Sequence, residues 1–177
     1  MYWPDAYLVK RRSVEQAISL LRPGQRVFLG SSCGEPQALV TALFTQCAVV
    51  SDLEIVRLMS LESLPLSLKA RESEPFSLRT FYLGSAKTES LDENKRFVVP
   101  INLSAVPRLF LSRRLPVHVA LIQVSPPDDF GWMSLGISVD ITLAAARSAD
   151  MVIAQVNSRM PRVLGRSFIH VNEVDVI

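Results

Sequence analysis

Two segments of the chain combine small residues, hydroxyls and carboxylates in ways that could meet a ligand. The first is Gly30-Ser31-Ser32-Cys33-Gly34-Glu35-Pro36-Gln37. Its glycines let backbone approach a bound group closely, and Ser31 and Ser32 add hydroxyls. Pro36 suits the first turn of a helix starting near Gln37, whose N–H groups and partial positive charge favour an anion or a carbonyl oxygen. An ordinary strand-to-helix turn needs the same glycines for its own geometry, so both readings stay open. The segment matches neither G-x-G-x-x-G nor the phosphate-binding G-x-x-x-x-G-K-S/T loop, so nucleotide binding does not follow. Cys33 sits where a thiol is activated by a helix start, but its base would have to be His118 or His170, both beside apolar strand positions. Glu35 reads equally well as a helix-start carboxylate favoured by the dipole.

The second segment is Ser125-Pro126-Pro127-Asp128-Asp129-Phe130-Gly131-Trp132-Met133-Ser134-Leu135-Gly136. Pro126 and Pro127 end a strand and stiffen its exit, and either preceding peptide bond is open to the cis form. Gly131 and Gly136 permit turns, while Phe130 and Trp132 bring apolar area that needs a surface to pack on. Asp128 and Asp129 are adjacent, so their side chains diverge; a turn or cap role fits better than a shared proton. After the last apolar run, Asn157 and Arg159 either bind a ligand or close a turn, and His170 reads as a structural histidine.

The elements around these segments predict their placement. Ser13 caps a helix carrying Val14, Ala17, Ile18 and Leu21, which Pro23-Gly24 ends. Residues 26–30, 53–59, 77–83, 96–101, 118–124 and 151–156 read as strands. Residues 37–44, 104–111 and 140–149 read as helices, and 62–74 as an irregular polar stretch. Apolar runs alternating with helices indicate an α/β fold: an open, mostly parallel sheet with helices on both faces. Such sheets bind ligands at the carboxyl ends of their strands, where both segments fall. The candidate binding residues are therefore Gly30 to Gln37, Ser125 to Asp128, Gly131, Ser134 and Gly136, and no residue is nominated as catalytic.

Composition narrows the class. The chain has 177 residues, 49% hydrophobic and 20% charged, which suits one globular domain. A formal charge of +2, with Arg11-Arg12 and Arg113-Arg114 as the tight basic pairs, does not indicate a nucleic-acid partner. Cys33 and Cys47 make no disulfide framework, and no Cys/His spacing indicates a metal. The N-terminus carries charges where a secretory signal is apolar, and the apolar runs are strand-length, so no membrane span is expected. A reducing cytoplasm is the simplest setting. The apolar end, 174–177, fits a natural terminus or a boundary between domains.

The same two segments carry a family resemblance. Residues 24–37 (GQRVFLGSSCGEPQ), 97–107 (FVVPINLSAVP), 119–140 (VALIQVSPPDDFGWMSLGISVD) and 154–171 (AQVNSRMPRVLGRSFIHV) resemble, in order, acetyl-CoA hydrolase/transferase N-terminal domains. That family includes acetyl-CoA hydrolases, succinyl-CoA:acetate transferases and 4-hydroxybutyrate CoA-transferases. The resemblance implies a CoA-transferase fold related to sugar-phosphate isomerases, with coenzyme A as substrate and no metal. It implies a second α/β domain of the same protein, bearing a nucleophilic glutamate whose motif is not found in this sequence. Acyl-CoA and carboxylate substrates would then be the small-molecule partners, and a homodimer is compatible with it. The wording also resembles longer proteins carrying an appended N-acetyltransferase domain. Gln155 departs from the family's more frequent glutamate in the A-E-V-N string. Hydrolysis of acyl-CoA and non-catalytic binding of a small anion are the competing readings; an isomerase would need local acid/base groups the two histidines do not supply.

Overall fold

The computed structural model describes residues 2–45, 52–59, 76–82 and 96–177. The expected irregular stretch 62–74, Leu83 and Cys47 lie outside the described residues. Within them, helices α1 (Trp3–Lys10), α2 (Val14–Ile18), α3 (Gln37–Thr45), α4 (Val106–Leu111) and α5 (Thr142–Ser148) surround the strands. The strands are β1 (Arg26–Leu29), β2 (Leu53–Arg57), β3 (Phe76–Thr80), β4 (Arg96–Val98), β5 (Val119–Val124), β6 (Trp132–Ser134), β7 (Met151–Val156) and β8 (Phe168–His170).

Local chemistry explains most of these boundaries. The Ser13 hydroxyl accepts the Gln16 N–H, and the Gln16 side chain accepts the Ser13 N–H, so the reciprocal box uses Gln16 and not Glu15. Asp140 Oδ1 accepts the Thr142 N–H at 3.1 Å, which starts α5 two residues after the expected start. Pro107 occupies the first turn of α4, and a 3₁₀ turn at Leu103–Ala105 precedes it. The sequence reading missed α1. That helix has no side-chain cap and buries only Ala6, so its apolar spacing carries little signal.

The principal sheet has strand order β4-β3-β2-β1-β5-β7, and every pair is parallel. Strands β1 to β4 step outward in one direction, and the chain then returns to place β5 and β7 on the other side of β1. The order reverses between β1 and β5, where Val27 pairs with Val119 and Leu29 with Leu121. Helices cover both faces. Val27, Leu29, Val119 and Leu121 pack against α2 and α3, while Phe28, Ala120 and Ile122 pack against α4 and α5. All six residues of β5 are buried, as a doubly covered central strand requires. The final residues protect the outer edge of β7: Ala154 N–H donates to Val176 O at 2.9 Å.

The segment 125–136, expected to be loop throughout, contains a strand. Residues 132–134 form β6, which pairs antiparallel with β8, Trp132 opposite His170. No alternation in a three-residue strand distinguishes it from loop, so only its partner reveals it.

Candidate functional site

Reversal of strand order leaves a crevice beyond the carboxyl ends of β1 and β5, because the two flanking connections leave in opposite directions. Both nominated segments begin there, Gly30 directly after β1 and Ser125 directly after β5.

The glycine segment is fastened by groups from three other strands or loops. Gly30 N–H donates to Leu121 O at 2.9 Å, and Ser32 N–H to Met59 O beyond β2 at 3.0 Å. Ser32 takes a left-handed conformation, φ 47°, at the turn. Gly34 N–H lies 3.3 Å from Ser138 Oγ, and a Cβ at Gly34 would stand 2.7 Å from Ser138 Cβ, so close packing demands glycine. Ser31 Oγ donates to Asp140 Oδ1 at 3.3 Å.

Glu35 is only 2% exposed, and it interacts electrostatically with Arg57, itself 6% exposed at the end of β2. Burial pushes the Arg57 pKa down, and the Glu35 charge opposes that shift. Glu35 therefore sits under the crevice floor as a tie to β2.

The helix start is also occupied from within. Gln155 Oε1 accepts the Ala38 N–H at 3.0 Å and the Leu39 N–H at 3.4 Å. The free helix N–H groups expected from the sequence are thus partly taken by a side chain from β7. A neutral amide oxygen fills the place that the sequence reading left open to an anion or a carbonyl oxygen.

Gln123, the lone polar residue of β5, carries a second fastening. Its Nε2 donates to Glu35 O at 3.0 Å, and its Oε1 accepts from Asn157 Nδ2 at 2.9 Å. Asn157 Oδ1 in turn accepts the Arg159 N–H at 2.9 Å, so Asn157 closes the turn after β7.

The second segment is tied to itself, to Arg162 and, through β6 and Gly131, to β8 and α1. Ser125 Oγ accepts the Ser134 N–H at 2.9 Å, and Ser134 Oγ accepts the Gly136 N–H at 3.1 Å and the Val163 N–H at 3.2 Å. Arg162 donates to Ser125 Oγ, Pro126 O and Trp132 O, pairs with Asp128 at 2.8 Å, and lies over the Phe168 ring. Asp128 Oδ1 accepts the N–H groups of Phe130 and Trp132, the turn role expected of it. Partial desolvation raises the Asp128 pKa, but those two hydrogen bonds, with the Arg162 and His170 charges, carry it below its usual value. Both prolines follow trans bonds. Gly131 packs on Trp3 and His170, and Trp132 meets the His170 ring edge-on, so this end of the segment points toward α1 and β8.

Of the nominated residues, Gly30, Ser31, Gly34, Glu35, Pro36, Ser125, Gly131, Ser134 and Gly136 are buried. Ser32, Cys33, Gln37, Pro126, Pro127 and Asp128 retain surface. Neither histidine can serve Cys33: His118 Nδ1 accepts the Arg26 N–H at the opposite end of the sheet, and His170 contacts Phe130 O. Gln123, Arg162 and Ser138 were not nominated. An amide inside an otherwise apolar strand was a usable signal for Gln123, since a buried amide must find partners. Nothing local marked Arg162.

The fold is an open, doubly wound α/β domain with both candidate segments at one reversal of strand order. The chain belongs to the acetyl-CoA hydrolase/transferase family, whose N-terminal domain matches residues 3–177. It is 38% identical to the 4-hydroxybutyrate coenzyme A transferase of Clostridium kluyveri over 177 residues, all of this chain and 41% of that protein. It is 26% identical over 179 residues to the butyryl-CoA:acetate CoA-transferase of Anaerostipes caccae, covering 40% of it. RipA from Yersinia pestis superposes with a TM-score of 0.89 at 28% identity, over 99% of this chain and 43% of that one. The 4-hydroxybutyrate CoA-transferase of Porphyromonas gingivalis gives 0.75 at 26% identity, over 98% and 40%. The chain thus spans about two fifths of the relatives it matches.

Proposed function

We propose that this chain is the N-terminal half of a CoA transferase that moves CoA between an acyl-CoA and a carboxylate. The carrying observation is the position of the two family segments at one reversal of strand order, within a chain of the acetyl-CoA hydrolase/transferase family. Coenzyme A is a substrate in this reading, and the reactive glutamate belongs to a second domain of the same protein. That carboxylate attacks the thioester carbonyl and expels CoA thiolate, leaving an acyl-glutamyl anhydride. The thiolate then attacks the glutamyl carbonyl, releases the acyl carboxylate and leaves a glutamyl-CoA thioester, which the acceptor carboxylate opens by the reverse sequence.

The described residues supply one wall. The exposed tip, Ser32 and Cys33, and the stiff exit at Pro126 and Pro127 shape the rim, while Glu35 stays buried and takes no covalent part. Capping of α3 by Gln155 disfavours the alternative of a free-standing anion site on that helix. The reading places the enzyme in the cytoplasm. Among the described residues no helix is long and apolar enough to cross a membrane.

The test compares the full-length protein with the 177-residue chain, using acetyl-CoA and butyrate, propanoate or 4-hydroxybutyrate. Butyryl-, propanoyl- or 4-hydroxybutyryl-CoA should form only with the longer protein. Turnover by the short chain alone would overturn the divided site, and free CoA released without an acceptor would indicate a hydrolase.

A further inference from the structure

The two crevice segments have few contacts of their own in common, yet one stretch of chain holds both. Asn157 to Arg162, the exit from β7, reaches the glycine segment through Gln123 at one end and touches the proline segment at the other. At the first end the amide orientations follow from the backbone groups that terminate the series. Glu35 O can only accept, so Gln123 must turn its NH₂ toward it. Gln123 Oε1 then faces Asn157, which must offer its own NH₂ and keep Oδ1 for the Arg159 N–H. Donors and acceptors therefore run in one sense, from Arg159 through Asn157 and Gln123 to the carbonyl of Glu35, and each bond polarises the next.

At the other end Arg162 spreads its guanidinium over Ser125 Oγ, Pro126 O, Trp132 O and Asp128. Between these ends Met160 is 5% exposed and rests on Gly136, where a Cβ would lie 2.2 Å from its sulfur. The connection is thus anchored at both ends and, at Met160, in between.

We propose that Asn157 and Arg162 are positioning residues: the β7 exit is a strut that sets the spacing of the two crevice walls. The functional half of this inference rests on the CoA-transfer reading; the mechanical half does not. The test uses the full-length protein carrying Asn157→Ala, Arg162→Lys and both together. Arg162→Lys keeps the charge but loses the planar fork, so it also serves if bulkier changes prevent folding.

Amide hydrogen exchange should quicken in residues 34–39 as well as 125–134 in the Arg162→Lys protein. Loosening confined to 125–134 would overturn the strut. Each single change should raise KM for the acyl-CoA about tenfold, the cost of one or two misaligned hydrogen bonds, with kcat changed less than about threefold. The double variant should lose no more than the worse single one, because each change releases one end of the same strut; multiplied losses would overturn the coupling. Absence of CoA exchange in the unmodified protein would overturn the functional reading and leave the exchange measurement to judge the strut.

Discussion

The glycine segment and the proline segment leave adjacent strands at the same end of the sheet, yet they are held in opposite ways. The glycine segment depends on distant chain: Gln123, Ser138 and Gln155 all reach it across the sheet edge. The proline segment combines bonds among its own hydroxyls with outside support from Arg162 and from β8, which pairs with its short strand β6. A segment held by other elements is placed with the accuracy of the sheet. One that closes on itself keeps its shape but takes its position from whatever anchors it.

Five substitutions test that contrast, the largest effect first. Glu35→Ala should destabilise the protein by about 3–5 kcal/mol, because Arg57 is left buried without its opposing charge. Equilibrium urea unfolding measures this, and Glu35→Leu combined with Arg57→Met should recover most of it. No recovery would show that Glu35 acts through something other than the Arg57 charge.

Gly136→Ala should cost about 2–3 kcal/mol, through overpacking against Met160 and a left-handed backbone, φ 59°. Gly34→Ala meets Ser138 without that backbone penalty, so its loss should be smaller in the same unfolding series. Reversed order would mean that the glycine segment is the less forgiving wall.

Gln155→Ala removes the acceptor at the start of α3 and should cost about 1 kcal/mol, with faster amide exchange at Ala38 and Leu39. Unchanged exchange there would deny the cap.

The smallest effect concerns pH. The Asp128 carboxyl is held below its ordinary value of 3.8, so its contribution is present above that value and is lost as pH falls through the lower folded one. Asp128→Asn should therefore lower stability by about 1 kcal/mol or less at neutral pH, and the difference should shrink below about pH 4. A difference constant from neutral pH down to pH 3 would rule out the charge as its source.

Sequence alone determined the layers of this protein. Buried strands such as Val119–Val124 announce themselves by continuous apolar runs, Ser13 and Asp140 mark helix starts through short-range hydrogen bonding, and Pro36 does so through its fixed φ and missing N–H. The strand reading also placed both candidate loops at the carboxyl edge. The tertiary structure alone decided which groups face outward. Gln123 meets Glu35 across 88 residues of chain, and Gln155 meets Ala38 across 117. Partners that far apart leave no periodicity to read, since their meeting depends on strand order and register. Buried Glu35, a capped α3 and the Arg162 clamp are thus products of packing: the side chains satisfy one another only after the sheet has brought them together.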